Sequence, residues 1–264
     1  MHESRRPSLR SLDVDAHLRD PALKQRFVTP MFDIIAPRYD RFARVFSFGL
    51  DRGWKEELLA DAIAGAPANA VVLDLACGTG DLAFALAERV EGARVTGVDA
   101  SPRMVERAKE RRRAAAGGPA GRVAFVVGDM ARLDAPDGSA DLVTAGYGFR
   151  NVPDFRAALA EVARVLRPGG RLVTLDFYRP EPPLWRHLLL GYLRAAGDLV
   201  GWLWHREPVV YGYIARSIDH WVSWQSFSRA LGDSGFEVER VRRKLFGGVA
   251  EHVARKRESS AANP

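Results

Sequence analysis

The stretch Ala70-Val-Val-Leu-Asp-Leu-Ala-Cys-Gly-Thr-Gly-Asp81 decides the fold of this chain. Its first half is aliphatic and interrupted only by Asp74, the pattern of a strand buried on both faces. Its second half sets Gly78 and Gly80 in a turn, and an amphipathic run over 81–90 follows. Strand, glycine turn and helix open a βαβ unit. Outward from it, the runs 93–100, 122–129, 140–148 and 170–177 repeat the strand pattern, with helical stretches at 101–115 and 154–166. The turn Arg-Pro-Gly-Gly at 167–170 sets Pro168 and Gly169 where a helix must stop. Beyond Phe177 the rhythm breaks. Residues 180–215 are long, aromatic and interrupted, and a helix is expected near 224–233. The runs 236–244 and 248–256 then pair as an antiparallel hairpin at the end of the sheet. The predicted fold class is α/β: a doubly wound, mostly parallel, seven-stranded sheet with that hairpin last.

The 264 residues, 47% hydrophobic and 27% charged, make one globular domain with room for an extra element. A single cysteine, Cys77, excludes an internal disulfide. No run of about 18 apolar residues occurs, which excludes a spanning helix. The first thirty residues carry Arg, Asp, Glu and Pro without an apolar core, so no cleaved secretory signal is expected. A cytoplasmic protein is expected. The net charge of +6 comes from 34 Arg and 5 Lys against 33 acidic residues. It admits a nucleic-acid partner, an anionic membrane surface, or an arginine preference without function.

The segment from Gly78 to Ala83 formally fits a dinucleotide fingerprint. Its charges do not suit a pyrophosphate, which would sit on the helix N-terminus beside Asp81 and Asp74. At an effective dielectric of about 20, each like-charge contact near 4 Å costs on the order of 4 kcal/mol. A cationic or zwitterionic ligand escapes that penalty. Asp99 ends the second strand at the spacing of a carboxylate that grips ribose hydroxyls, or serves the helix start at Ser101-Pro102. Asp129 ends the third strand, within reach of an adenine edge. Cys77 reads as a small packing residue inside the loop.

The loop from Asp74 to Asp81, Asp99 and Gly128-Asp129 together resemble the class I S-adenosylmethionine-dependent methyltransferases. That resemblance implies S-adenosylmethionine as cofactor. Asp74 and Gly78, Thr79 and Gly80 would face its methionine part, Asp99 and Ala100 the ribose, Asp129 and Met130 the adenine, with Gly146 close by. Two further segments are similar to the signatures of the ubiquinone/menaquinone biosynthesis C-methyltransferases: Tyr39-Asp40 through Ser47-Phe48-Gly49 to Trp54-Lys55, and Gly148-Phe-Arg-Asn-Val152. The similarity runs from about Phe32 to Arg255. It implies methylation of a quinol or phenol ring, with a hydrophobic small molecule as acceptor. Departures are Phe42, Ala43 and Arg44 for Met-Asn-Asp, Asp51 for a histidine, and Gly146 for a serine. The organisation expected is a tail over 1–26, a helical lid over 27–69, a cofactor-binding core over 70–179, an aromatic insertion over the acceptor pocket at 180–215, a last helix and hairpin over 216–256, and a tail over 257–264.

Within that reading Arg150 and Asn151 are the candidate catalytic pair. A ring carbon becomes nucleophilic when the hydroxyl beside it loses its proton, and a cation aimed at that oxygen stabilises the charge. Arginine stays protonated, so Arg150 would hold the phenolate or polarise a water, and Asn151 would orient either. The bland alternative for Arg150 is a surface ion pair with Asp154. Tyr39 is expected to close over the methionine end. No histidine pair has metal-ligand spacing, so no metal is expected. Residues 184–204, with three of six tryptophans, would roof the acceptor pocket or lie on a membrane surface. A nucleic-acid methyltransferase is the rival class, on the basic run from Arg103 to Arg113, although no aromatic residues interleave with it. A homo-oligomer is left open.

Overall fold

The computed structural model describes residues 18, 20–35, 49–115, 117–205 and 209–258. Helix α1 (Pro21–Ile35) begins inside the stretch expected as tail. The Asp20 carbonyl accepts the N–H groups of Leu23 and Lys24 at 3.1 and 2.9 Å. Pro21 stands in the first turn, where a missing N–H costs nothing, so it starts the helix instead of breaking it. Helix α2 (Leu50–Ala64) follows, and then the alternation begins: β1 (Val71–Leu75), α3 (Asp81–Arg89), β2 (Arg94–Asp99), α4 (Pro102–Ala114), β3 (Val123–Val127), β4 (Ala140–Gly146), α5 (Phe155–Val165) and β5 (Leu166–Phe177). The interrupted aromatic stretch forms two helices, α6 (Pro183–His205) and α7 (Val209–Asp219). Helix α8 (Trp224–Asp233), β6 (Phe236–Lys244) and β7 (Val249–Lys256) close the chain.

The seven strands stand in the order β3-β2-β1-β4-β5-β7-β6. The first five are parallel, and β7 runs antiparallel between β5 and β6. The expected hairpin therefore exists, but its second strand lies inside and its first forms the edge. Helix α5 stops at Val165 as Arg-Pro-Gly-Gly requires, yet β5 starts earlier than expected, at Leu166. The four turn residues form an irregularity between Leu166, paired with Ala140, and Arg171, paired with Leu142. A Cβ on Gly170 would stand 2.9 Å from the Arg167 carbonyl oxygen, so this tight excursion needs glycine.

Apolar clusters fill both faces of the sheet, as a parallel arrangement demands. A third cluster joins Val28 and Met31 of α1 to Met104 of α4, Leu189 and Leu193 of α6, and Tyr213 and Ile218 of α7. The N-terminal helix and the insertion thus form one cap beside the carboxyl ends of the strands. Among the described residues no helix is long and apolar enough to cross a membrane.

His252 of β7 is wholly buried among Tyr178, Ser228 and the Trp224 carbonyl. Burial lowers its pKa from 6.5 to about 4, partly offset by the Trp224 carbonyl. Between those values the unfolded chain binds more protons than the folded one, so stability is full above pH 6.5 and falls as the pH drops through the window. The loss due to this residue should be about 2 kcal/mol at pH 5. Urea melts at pH 7.5 and 5 check it: His252→Gln should flatten that part of the slope, and an unchanged slope would exclude His252 as its source.

Candidate active site

Parallel strands bring their carboxyl ends to one side, and the chain leaves β1 toward β2 and β4 toward β5. Between β1 and β4 lies the switch point, where such sheets hold ligands. The backbone there is strained: Ala76 after β1 and Tyr147 after β4 have φ of 51° and 60°. They hold the two loops close, since a Cβ on Gly148 would stand 2.8 Å from the Ala76 Cβ. Gly78 and Gly80 complete the turn with φ of 54° and 91°, and Gly80 caps α3. A Cβ on Gly80 would approach the Phe125 ring to 2.6 Å.

The carboxylates expected to serve a ligand also build this loop. Asp99 accepts the N–H groups of Gly78 and Ser101 at 2.8 and 2.9 Å. Ser101 caps α4 through Met104 and donates to Asp33 at 2.5 Å, which ties α1 to the site. Both readings of Asp99 thus meet: it supports the helix start and lines the cleft. Asp129 accepts the Ala131 N–H at 2.9 Å. Asp74 is wholly buried. Its Oδ1 accepts from the Thr144 hydroxyl at 2.8 Å, while Oδ2 has no hydrogen bond of normal geometry. Burial pushes its pKa to about 7, against the Thr144 bond and a weaker pull from the Ala83 N–H. Burial also raises Asp99 and lifts the Cys77 thiol well above its ordinary value, so the thiol stays protonated and packs.

One cleft gathers Gly78, Asp99, Ala100, Asp129, Met130, Gly146 and Asn151. Asp74 and Thr79 line a smaller adjoining cavity with Lys55. Gly80 lines neither and acts through the turn. Tyr39 lies outside the described residues. Three lining residues of α1 escaped the sequence reading: Val28, Thr29 and Phe32. They fall at the start of the expected helical lid, and the four-residue spacing of Val28 and Phe32 is the signal that marks its cleft-facing side.

Asp81 corrects the electrostatic expectation. Its carboxylate is paired with Arg111 at 2.7 Å and Lys55 at 3.5 Å, and those cations hold its pKa down against partial burial. Arg111 also donates to the Thr79 carbonyl and hydroxyl. The acidity available to a ligand therefore resides in Asp74, Asp99 and Asp129, not in Asp81.

Arg150 does not pair with Asp154, whose side chain caps α5. It is 4% exposed and lies behind the cleft lining. Its N–H donates to Asp176 at 3.0 Å, its Nη1 to Ser217, and its Nε stands 3.6 Å from Asp176 without a hydrogen bond. The Phe177 and Tyr213 rings flank the guanidinium, each centroid 6.0 Å away. Asn151 lines the cleft; its amide donates to the Tyr147 carbonyl at 2.8 Å and accepts from the Tyr213 hydroxyl at 3.0 Å. Asp176 and Ser217 were not foreseen. Asp176 is next to last in β5 as Asp74 is in β1, and that position near the strand end was its signal.

Strand order, the antiparallel last pair and an acidic cleft at the β1/β4 switch point define the class I methyltransferase fold. A chain of that class, a SAM dependent methyltransferase from Aquifex aeolicus, superposes with a TM-score of 0.55 at 20% identity, covering 76% of this chain and 89% of that one. The family model of the ubiE/COQ5 methyltransferase family matches residues 21–256. The demethylmenaquinone methyltransferase of Deinococcus radiodurans is 38% identical over 89% of this chain and 94% of its own length. That of Thermus thermophilus is 40% identical over 84% and 98%. The chain belongs to the ubiE/COQ5 methyltransferase family, and it is a methyltransferase. The nucleic-acid alternative is not favoured: on α4, Arg111 is turned into the glycine loop and Arg113 pairs with Glu106.

Proposed function

We propose that this enzyme transfers the methyl group of S-adenosylmethionine to a ring carbon of a quinol of the demethylmenaquinone or polyprenyl-benzoquinol type. The observation that carries the donor is the buried Asp74 oxygen without a hydrogen bond, beside Asp99 and the glycine loop. Such a donor set suits a ligand bearing an ammonium and a sulfonium. In the proposed arrangement Asp74, Gly78, Thr79 and Gly80 serve the methionine end, Asp99 and Ala100 the ribose, and Asp129, Met130 and Gly146 the remainder, with Tyr39 as the closing residue. When bound, the cofactor supplies an electrophilic methyl group. The acceptor rests on the names of the relatives and on the apolar Val28 and Phe32 that face the same cleft. Arg150 would stabilise the developing phenolate by its fixed charge, and Asn151, bonded to Tyr147 and Tyr213, would hold the cleft wall at Tyr147.

Incubation with labelled S-adenosylmethionine and a reduced short-chain demethylmenaquinone tests this. A product heavier by one methylene unit, methylated on carbon, is expected. Label found only on oxygen, or none on any quinol, would overturn the acceptor. A cationic ligand also stabilises the ionised form of Asp74, so binding should release a proton near pH 7. Calorimetry with S-adenosylmethionine in two buffers of different ionisation enthalpy should show the release, and Asp74→Asn should abolish it. Equal proton release in the variant would shift that role to another group.

Contact with a membrane that stores such acceptors would fall on α6. Its Leu184, Leu188 and Tyr192 recur every four residues and are exposed, and Phe246 beside them is 80% exposed. Co-sedimentation with anionic vesicles should be lost in the Leu184→Ser, Leu188→Ser double variant. Equal sedimentation of the variant would move the contact elsewhere.

A further inference from the structure

A buried lysine stands near Arg150, behind the cleft lining. Lys24 is 8% exposed and shares one face of α1 with Val28 and Phe32, at i+4 and i+8, which line the cleft. Its Nζ lies 5.8 Å over the Trp221 ring. Among the described residues no carboxylate stands within ion-pair distance of it. The charged groups that act on it are Arg150, in the turn after β4, and Asp176 of β5. Tyr213 of α7, near the same pair, stays neutral because burial pushes its hydroxyl to about 12. Burial and the Arg150 charge lower Lys24 to about 8, with Asp176 opposing them. A lysine placed this way has an amine form within reach at working pH, which Arg150 lacks.

We propose that Lys24 is the base of the reaction, taking the proton that the acceptor hydroxyl releases. This rests on the quinol reading above. The O–H bond breaks and an N–H bond forms at Nζ. The electron pair left on oxygen conjugates into the ring and loads the carbon that is methylated. Once that carbon has lost its hydrogen to water as a proton, Lys24 returns its own proton to the oxygen and the amine is restored. The division of labour follows from the chemistry of the two side chains: Arg150 keeps a fixed charge beside the oxyanion, and Lys24 changes charge.

The test compares wild type with Lys24→Arg, which keeps the cation but not the base, and Lys24→Met, which keeps the length. Both should bind S-adenosylhomocysteine like wild type, a readout of intact folding, and both should lose about 10²–10⁴ in turnover. Wild-type turnover should rise with pH toward a plateau above pH 8, and the residual rate of Lys24→Arg should lack that limb. With 5 Lys in the chain, 13Cε-lysine NMR resolves the group directly, and Lys24→Met assigns its signal. A titration near 8, not 10.5, is expected. Wild-type turnover and pH profile in Lys24→Arg, or titration near 10.5, would overturn the role. A wild-type enzyme that binds S-adenosylhomocysteine but methylates no quinol would overturn the acceptor reading, and the lysine's part with it.

Discussion

Arg150→Lys is expected to lower turnover by about 10²–10³, the effect of removing one preorganised donor from a developing oxyanion, with S-adenosylhomocysteine affinity unchanged. The guanidinium does three things from one plane. Its Nη1 holds Ser217 of α7, its Nε faces Asp176 at 3.6 Å without a hydrogen bond, and its flat face sits between Phe177 and Tyr213. An ammonium on a flexible stem keeps the charge but cannot stack or fork, so it can satisfy Ser217 or an oxyanion and not both. Because Arg150 lies behind the lining, the loss should fall on kcat with little change in the KM for S-adenosylmethionine. Single-turnover assays with a reduced quinol analogue separate the two. Near-normal turnover in Arg150→Lys would remove Arg150 from the chemistry and leave it a structural pillar between β4 and α7.

The sheet was legible because the inner parallel strands are buried on both faces and write themselves as aliphatic runs bounded by Gly or Asp, a pattern that the half-exposed edge strand β3 shares. The hairpin was legible from the closeness of two strand-like runs. Their order in the sheet was not, since β7 against β5 is set by pairing over about 80 residues and no local pattern encodes it. Only the start of α1 was put too late, at the head of the expected lid, because Pro21 and the polar residues after it read as tail although the helix begins there. Residues 180–215 read as interrupted because glycine and charge break the run, yet α6 and α7 bury enough against α1 to override propensity.

The cleft followed from strand ends, and Gly78, Asp99, Ala100, Asp129, Met130 and Gly146 do come together. Partners across the fold could not be read. Asp81 looked like an acid waiting for a ligand, but Arg111, thirty residues on, and Lys55 of α2 neutralise it. The arginine surplus is likewise less idle than its composition implied. Arg164 holds Glu161 and Asp137, and Arg242 reaches Glu57, Asp61 and the buried Glu251. Arg150 was legible as a cation beside the cleft, but its counter-charge was not: only the folded chain shows that β5 supplies it, through Asp176, and that the alternative pair with Asp154 does not form.

Asp176→Leu should be the most damaging single change to stability at this site, at about 3–5 kcal/mol. The carboxylate is wholly buried and accepts the N–H groups of Arg150 and Phe177 at 3.0 and 2.8 Å. Burial raises its pKa, while Arg150, those two N–H groups and Lys24 draw it back toward the charged form. Leucine fills a similar volume but leaves two backbone donors unsatisfied and two buried cations without their counter-charge. Asp176→Asn keeps an acceptor and loses only the charge, so it should cost less, about 1.5–3 kcal/mol. In Arg150→Met with Asp176→Leu, part of the loss should return, because a buried charge pair replaced by apolar groups is often nearly neutral. Urea midpoints at constant m-value measure all three, and at about 2–4 °C per kcal/mol the leucine variant should melt roughly 10 °C lower. Additive losses in the double variant would mean that Asp176 serves the backbone of the turn alone, and that the Arg150 guanidinium and Lys24 are held by other groups.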